Sequence, residues 1–418
     1  MILRFKVRNF RSIKEEILID FLASGHHDFT QFPGYVVTQK KDKVLNGICL
    51  IGNNASGKTN VLNALSALCQ AVVSTTNVVE TQSLDFIVPF LFDDDSKGKP
   101  TDFELVFEDG DIRYSYQLSL TKDMILHESL SFSPHGRMVL LFDRTGNEKL
   151  SFHQTYVSRE NVRLIQERNL KNKPIITFAA QFNIPYLKDA YHFIADQFVF
   201  TNAQGIVNEQ GIGLRLEADK AYYEFLKSVL SAADLNIDDI RFFKKRAKLM
   251  TPLPDMDVEQ ASFTLRDRDV YHVMMNHKIH DRDYFLNLGD ESLGIQKVMA
   301  YSLVVYDALI HGRILVCDEF GSSLHPHLSA FLLSFFFDGS INHRNAQILF
   351  NTQETSLLNE QLLRRDEIYL VEKNKDSGST ELSCLKDYAV RKKENVENGY
   401  LNGRYSPSPD IDGGVMNL

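Results

Sequence analysis

Residues 47–73 read GICLIGNNASGKTNVLNALSALCQAVV, and this stretch decides the fold. Gly47 to Ile51 is a short apolar run of strand type. Gly52, Asn53, Asn54, Ala55, Ser56, Gly57, Lys58 and Thr59 then match G-x-x-x-x-G-K-[ST] without departure. After them Val61, Leu62, Leu65, Leu68 and Val72 recur at helical spacing. Strand, glycine loop and helix is the order a phosphate cradle needs. The glycines let backbone N–H groups converge on an anion, and the helix turns its positive end toward the same point. In such a cradle Lys58 reaches the β and γ oxygens of a nucleoside triphosphate, ATP, and the Thr59 hydroxyl ligates magnesium. A plain glycine turn between strand and helix is the alternative, and the match on both flanks argues against it.

A second stretch completes the expectation. Ile314, Leu315, Val316 and Cys317 form an apolar run that ends in Asp318 and Glu319. A strand buried on both faces delivers such carboxylates to the carboxyl edge of a parallel sheet, where a phosphate loop also lies. Asp318 would hold the magnesium, directly or through water, and Glu319 would orient or deprotonate an attacking water. An apolar run before Asp-Glu is weak on its own, but together with the upstream loop it becomes specific.

The totals are compatible with this. At 418 residues and 44% hydrophobic content the chain is long and apolar enough for packed cores. A formal charge of −9 argues against a grip on nucleic acid spread over the whole surface, while leaving room for a local basic groove. Cys49, Cys69, Cys317 and Cys384 show no paired metal-ligand spacing, which suits a reducing, cytoplasmic compartment. MILRFKVRNF alternates like a strand and lacks the apolar core of a signal peptide. The apolar run around Phe331 to Phe337 is too short to cross a bilayer, so no membrane association is expected.

Along the chain, Ile2 to Phe10 and Ile17 to Phe21 alternate as paired antiparallel strands, and DFELVF, RYSYQLSL and MILHESLSF within 100–145 read as a run of strands. From about 155 to 235 the periodicity is helical, and 236–285 is strand-like. A helix is expected from near Glu291, then the strand at Ile314, a helix near 326–337, and strands at Ile348 to Asn351 and Ile368 to Val371. Strands alternating with helices at this spacing imply a mainly parallel sheet covered on both faces.

Three further segments carry a resemblance. Glu291, Ser292, Leu293 and Gly294, at the start of a helix, resemble the signature of ABC and SMC ATPases. Ser322, Ser323, Leu324, His325 and Pro326, just after Glu319, resemble the D-loop of those proteins. Asn9, Phe10, Arg11 and Ser12 resemble their opening strand, and Asn60 after the phosphate loop fits as well. Together these resemble the prokaryotic ABC/SMC-like ATPases of the AAA type, related to the RloC, abortive-infection and overcoming-lysogenization-defect proteins. The likeness runs from near residue 1 to about 405 and is weakest over 150–285.

The resemblance implies an α/β fold, an ABC/SMC-type P-loop ATPase head with a mixed sheet and a β-rich subdomain, plus a helical insertion. The expected division is 1–150 for an N-terminal ATPase lobe, 151–285 for a helical or mixed insertion, 286–405 for a C-terminal lobe and 406–418 for a flexible tail. It further implies a homo-oligomer, a dimer or a multiple of dimers, in which Ser292 and Gly294 of one copy cap the γ-phosphate held by the other. A helix N-terminus at Ser292 suits an anion, and a simple N-cap serine is the competing reading. The implied context is antiphage defence, with the ATPase sensing infection or restraining a separate toxin or nuclease. No nuclease domain of its own is expected, because Asp410 and Asp412 have a suitable spacing with no domain after them.

One departure matters. Where the group usually has a switch histidine the sequence reads Asn351, Thr352, Gln353, Glu354. Gln353 can hydrogen-bond a γ-phosphate or a water but cannot carry a proton, which implies slow hydrolysis. Gln82 is a guess at a Q-loop residue. Two other readings stand: a scaffold that holds ATP without hydrolysing it, and an SMC-like DNA-repair ATPase, which would need a coiled coil that 150–235 does not supply. His272, His277 and His280, like His26 and His27, fit a solvated segment better than a metal site. The basic clusters Arg241, Lys244, Lys245, Arg246, Lys248 and Arg168, Lys171, Lys173 could meet nucleic acid or an acidic partner, although a solvated charged face is the commoner meaning of such runs.

Overall fold

The computed structural model describes residues 1–24, 36–39, 42–77, 81–146, 149–202, 207–233, 237–252, 263–359, 362–388 and 395–405. His26, His27, Asp410, Asp412 and the tail from 406 lie outside them. The chain divides into two compact units, one made of Met1–Ala203, Ala308–Ser322 and Leu333–Leu418, the other of Gln204–Asp307 and Ser323–Leu332.

The first unit is built on two sheets. One is wholly antiparallel and runs in the order Lys149–Phe152, Val139–Thr145, Ile125–Ser133, Ile112–Leu120, Thr101–Asp109, Ile2–Arg8, Ile17–Asp20. Its strands alternate as the sequence does: Phe103, Leu105 and Phe107 are buried while Asp102, Glu104 and Val106 are partly exposed. The other sheet has the order Phe198–Asn202, Ile314–Asp318, Gln347–Thr352, Gly47–Ile51, Ile368–Lys373, Thr380–Cys384. Its first five strands are parallel and the sixth returns antiparallel. Gly47–Ile51 and Gln347–Thr352 are buried at every position, as strands in the middle of a sheet covered on both faces must be. Helix Lys58–Val73 buries Val61, Leu62, Leu65, Leu68 and Val72, the face read from its spacing.

The strand Phe198–Asn202 interrupts the stretch whose periodicity is helical. It pairs in parallel with Ile314–Asp318, Phe198 against Ile314 through Asn202 against Asp318, and so forms the edge beside the acidic strand. Nor does the first unit stop near residue 150. Helices Arg159–Arg168, Ile175–Gln181 and Leu187–Asp196 bury Ile165, Ile176 and Phe193 in its main core, so residues up to 203 belong with the sheets. Thr380–Cys384 is a further strand that its sequence pattern does not show; it is held as a hairpin partner of Ile368–Lys373.

The second unit is mixed, with helices followed by the strands expected over 236–285. Helices Glu209–Ala218 and Lys220–Ala232 accompany a three-stranded antiparallel sheet in which Ile237–Pro252 and Phe263–Ile279 form a long ribbon and Arg282–Asn287 pairs with the base of the second strand. Tyr271 and Met275 are buried on this ribbon, so a strand period, not a helical one, fills its core. Helix Leu293–His311 is long and apolar enough, by length and composition alone, to cross a membrane; half of it is buried inside the protein, as a core helix would be.

Candidate functional site

The phosphate loop leaves strand Gly47–Ile51 at the carboxyl edge of the parallel sheet and enters helix Lys58–Val73. Two of its residues can only be glycine. A Cβ at Gly52 would stand 2.0 Å from the Val371 carbonyl oxygen, and Gly57 has φ of +105° with Thr380 Oγ1 only 1.9 Å from where its Cβ would be. Ala55 is also left-handed, with φ of 62°, so the loop alternates backbone hands, the conformation that forms anion-binding nests.

Around this loop lies a brace that the motif does not announce. The Ser12 and Thr380 hydroxyls are 2.7 Å apart, Thr380 N–H donates to the Ser12 carbonyl at 2.7 Å, and Thr380 Oγ1 donates to the Ser56 carbonyl at 2.9 Å. Asn60 Nδ2 donates to Ser12 Oγ at 2.7 Å. Asn60, expected to bind nucleotide, thus commits its amide to holding the opening turn against the loop. Asn9 does comparable work: with φ of 54° its Nδ2 lies 3.0 Å from the carbonyls of Ser96, Lys99 and Pro100, and its Oδ1 accepts from Phe90 N–H.

Lys58 is folded back on the loop. Its Nζ donates to the Gly52 carbonyl at 2.6 Å and the Asn53 carbonyl at 2.9 Å, which leaves one of three N–H donors. Burial pulls its ammonium below the ordinary lysine range, against the opposing field of Asp318 and Glu319. Ser56 Oγ is buried and has no hydrogen-bond partner among the described residues, an orphaned donor in the middle of the cradle.

Asp318 closes the site from the end of Ile314–Asp318, which is separated from Gly47–Ile51 by one strand. Thr59 Oγ1 donates to Asp318 Oδ1 at 2.9 Å, although the two are 259 residues apart. Asn351, at the buried end of Gln347–Thr352, donates from Nδ2 to the same carboxylate oxygen at 2.5 Å and accepts the Glu319 N–H on Oδ1 at 2.6 Å. One amide therefore orients both acidic residues, and Glu319 is held with φ of 56°, a backbone hand unusual for a glutamate. In the sequence Asn351 stands out only as part of the departure before Gln353; its signal is a polar side chain closing a strand otherwise apolar from Ile348 to Phe350. Gln353 follows as an exposed residue just past that strand. Gln82 is exposed, and its carbonyl accepts from Asn172 Nδ2 at 2.9 Å.

In the second unit Ser292 is exposed and caps helix Leu293–His311, with Ile295 N–H on its Oγ at 3.3 Å. Gly294 has an open side: a Cβ there would meet nothing closer than 3.9 Å, and Leu293 beside it is 58% exposed. Glu291 accepts from His277 Nε2 at 2.6 Å. His272 and His280 are exposed, and no group of three or more potential metal ligands from His, Cys, Asp and Glu forms among the described residues.

The donors present fit a magnesium-bound triphosphate. An inward-turned glycine loop, an orphaned serine hydroxyl, a buried lysine and a hydroxyl–carboxylate pair of hard oxygen ligands are what such a group takes. The fold and site define an α/β P-loop protein of the nucleotide-binding ATPase class.

Comparison with known proteins gives the family. The family described as "AAA domain, putative AbiEii toxin, Type IV TA system" matches residues 48–359, and the chain belongs to it. This agrees with the resemblance to ABC/SMC-like ATPases of the AAA type that its motifs carry. Among solved structures it is similar to an SMC head bound to the C-winged helix domain of ScpA, with TM-score 0.39 and 12% identity over 92% of this chain and 97% of that one. It is similar to the SMC head domain from Thermotoga maritima, with TM-score 0.39 and 14% identity over 92% and 98%. It is also similar to cbiO1 from Clostridium perfringens, part of the ABC transporter complex cbiONQ, with TM-score 0.31 and 9% identity over 92% and 89%. No curated protein matches the chain.

Proposed function

We propose that the chain binds ATP with magnesium at Gly52–Thr59, hydrolyses it slowly, and works as a nucleotide-driven switch between two copies of itself. The observation that carries this reading is the 2.9 Å hydrogen bond between Thr59 and Asp318, which joins the phosphate loop to the acidic strand at one point. A magnesium ion held here would supply positive charge against the charge developing on the phosphates. Thr59 and Asp318 supply its protein oxygens, and Lys58 turns from the Gly52 and Asn53 carbonyls toward the phosphates. Glu319 orients or deprotonates the attacking water. Gln353 hydrogen-bonds the γ-phosphate or that water and cannot relay a proton, hence the slow turnover.

The dimeric part of the proposal rests on Ser292 and Gly294. Gly294 meets no crowding within its own chain, so its open side leaves room for a group placed against that helix end. The γ-phosphate held by a second copy is such a group. In this scheme the two sheets of the first unit form the core of the head, and the ribbon-bearing insertion carries closure to a separate effector protein, a toxin or nuclease, in prokaryotic antiphage defence and in the cytoplasm. The family's description, which names a toxin of a toxin–antitoxin system, supports that setting.

Steady-state phosphate release tests the proposal, with Glu319→Gln as the comparison. Gln353 favours one other reading, a scaffold that holds ATP without cleaving it, and for that scaffold the wild type and the Glu319→Gln protein would release phosphate equally slowly.

A further inference from the structure

The long ribbon of the second unit separates its charges by face. Residues directly opposite in an antiparallel pair share a face, and the register pairs Lys244 with Tyr271 and Arg246 with Asp269. This first face is neutralised. Lys244 Nζ lies 3.1 Å from both Glu217 and Asp269, Arg246 lies 3.9 Å from Asp267, and the Tyr271 hydroxyl donates to Glu217. Helix Glu209–Ala218 lies against it, with Gln210 bonded to both the N–H and the carbonyl of Tyr271.

The opposite face is different. The register there pairs Arg241 with Met274, Phe243 with His272, Lys245 with Val270 and Ala247 with Arg268, and no carboxylate falls on it between these limits. Lys245, Arg268 and His272 are exposed and have no ion-pair partner among the described residues, and Phe243 is 54% exposed. Arg241 stacks on Phe285 at 4.6 Å and lies 3.7 Å from Asp239 at the end of the face. In a chain of net charge −9, a stripe of cations that excludes carboxylates while its reverse side pairs them needs a reason beyond solubility.

We propose that this face of the ribbon docks duplex DNA. Cations on one face of a strand stand at multiples of about 7 Å, so they meet an extended line of charge better than a compact anion. Duplex DNA offers about one charge per 1.7 Å of helix axis. A two-stranded ribbon enters the roughly 12 Å wide major groove of B-form DNA, whereas the deep, narrow major groove of A-form RNA does not admit side chains. The ribbon strands have 16 and 17 residues, so at about 3.3 Å per residue the ribbon is on the order of 50 Å long and can follow the groove well past the supporting helix. Lys245 and Arg268 take phosphates, and Arg241 and Phe243 lie along the sugar edge.

The test is fluorescence anisotropy with a labelled 30-base-pair DNA duplex at low salt, on the full chain without nucleotide, so that the result is independent of the ATPase reading. The wild type should bind, and Lys245→Glu/Arg268→Glu should weaken binding at least tenfold. A control with the same charge change on the first unit, Lys149→Glu/Arg163→Glu, should move it less than twofold. Replacing Lys245 and Arg268 by alanine should lower the slope of log K against log salt by about 2, two phosphate contacts at roughly 0.9 each. Absence of duplex binding by the wild type, equal loss in the control pair, or tighter binding of duplex RNA or of poly-glutamate would each overturn the proposal. Should the charge-reversed variant misfold, the alanine pair and the wild-type salt slope decide it.

Discussion

Thr59 Oγ1 and Asp318 Oδ1 stand 2.9 Å apart across 259 residues of chain, and Asn351 Nδ2 meets the same carboxylate oxygen from the strand between them. Parallel order in the sheet makes this possible: Gly47–Ile51, Gln347–Thr352 and Ile314–Asp318 are neighbours, and their carboxyl ends open on one edge. A change at this junction, or in the elements that hold it, should therefore register in nucleotide binding, magnesium dependence or turnover.

Lys58→Ala should weaken ATP binding by at least about tenfold, since charge-assisted hydrogen bonds to phosphate are worth roughly 1.5–3 kcal/mol each. Isothermal titration calorimetry measures it. Affinity equal to that of the wild type would remove the phosphate loop from the account.

Glu319→Gln should keep ATP affinity within about twofold and lower phosphate release by on the order of 100-fold, the usual worth of a general base. The same variant should accumulate as a dimer with ATP and magnesium, read by light scattering after size exclusion. A monomer under those conditions would count against the two-copy scheme.

Asn351→Ala should cut magnesium affinity by roughly 10- to 100-fold, because it removes the partner that orients a ligating carboxylate. Magnesium titration of nucleotide binding separates this from a general loss of fold. An unchanged magnesium dependence would reduce Asn351 to a structural role at the strand end.

Gly294→Arg should leave the melting temperature of the monomer within a few degrees, because its Cβ side is open. ATP-dependent dimerisation should nevertheless be lost. Retained dimerisation in sedimentation velocity would show that the helix end faces no partner.

Asp366 gives the pH dependence. Burial opposes its ionisation, but the bidentate Arg364 guanidinium at 2.8 Å and the Ser24 N–H and hydroxyl at 2.8 Å outweigh this and hold the carboxyl below its usual range. A depressed folded-state value adds stability that is complete above the unfolded carboxylate range, about pH 3.9, and fades as pH falls through the folded value. Asp366→Asn removes the bidentate charge pairing of the buried Arg364 and should cost up to about 3–5 kcal/mol at neutral pH. The gap between the two denaturation curves should narrow below about pH 4. A gap that stays constant into acid would mean that the ion pair contributes nothing.

What neighbouring residues dictate to one another is legible in the sequence by itself. Gly52 to Thr59 and the strand and helix around them are of this kind, because backbone hand, helix dipole and apolar period are local properties. The same holds for the apolar strand before Asp318 and Glu319, for Ser292 at a helix start, and for the alternation of Thr101–Asp109. What tertiary structure alone decided is who meets whom. Only the sheet order brings Asp318 to Thr59; only the return of Thr380–Cys384 sets a threonine hydroxyl where a side chain on Gly57 would stand. Asn60 braces Ser12, Asn351 ties the Asp318 carboxylate to the Glu319 backbone, and the strand-like section 236–285 pairs into one long ribbon. Hydrogen bonds between distant segments leave no period and no spacing in the chain, since a polar residue at a strand end looks the same whether it faces water or a carboxylate.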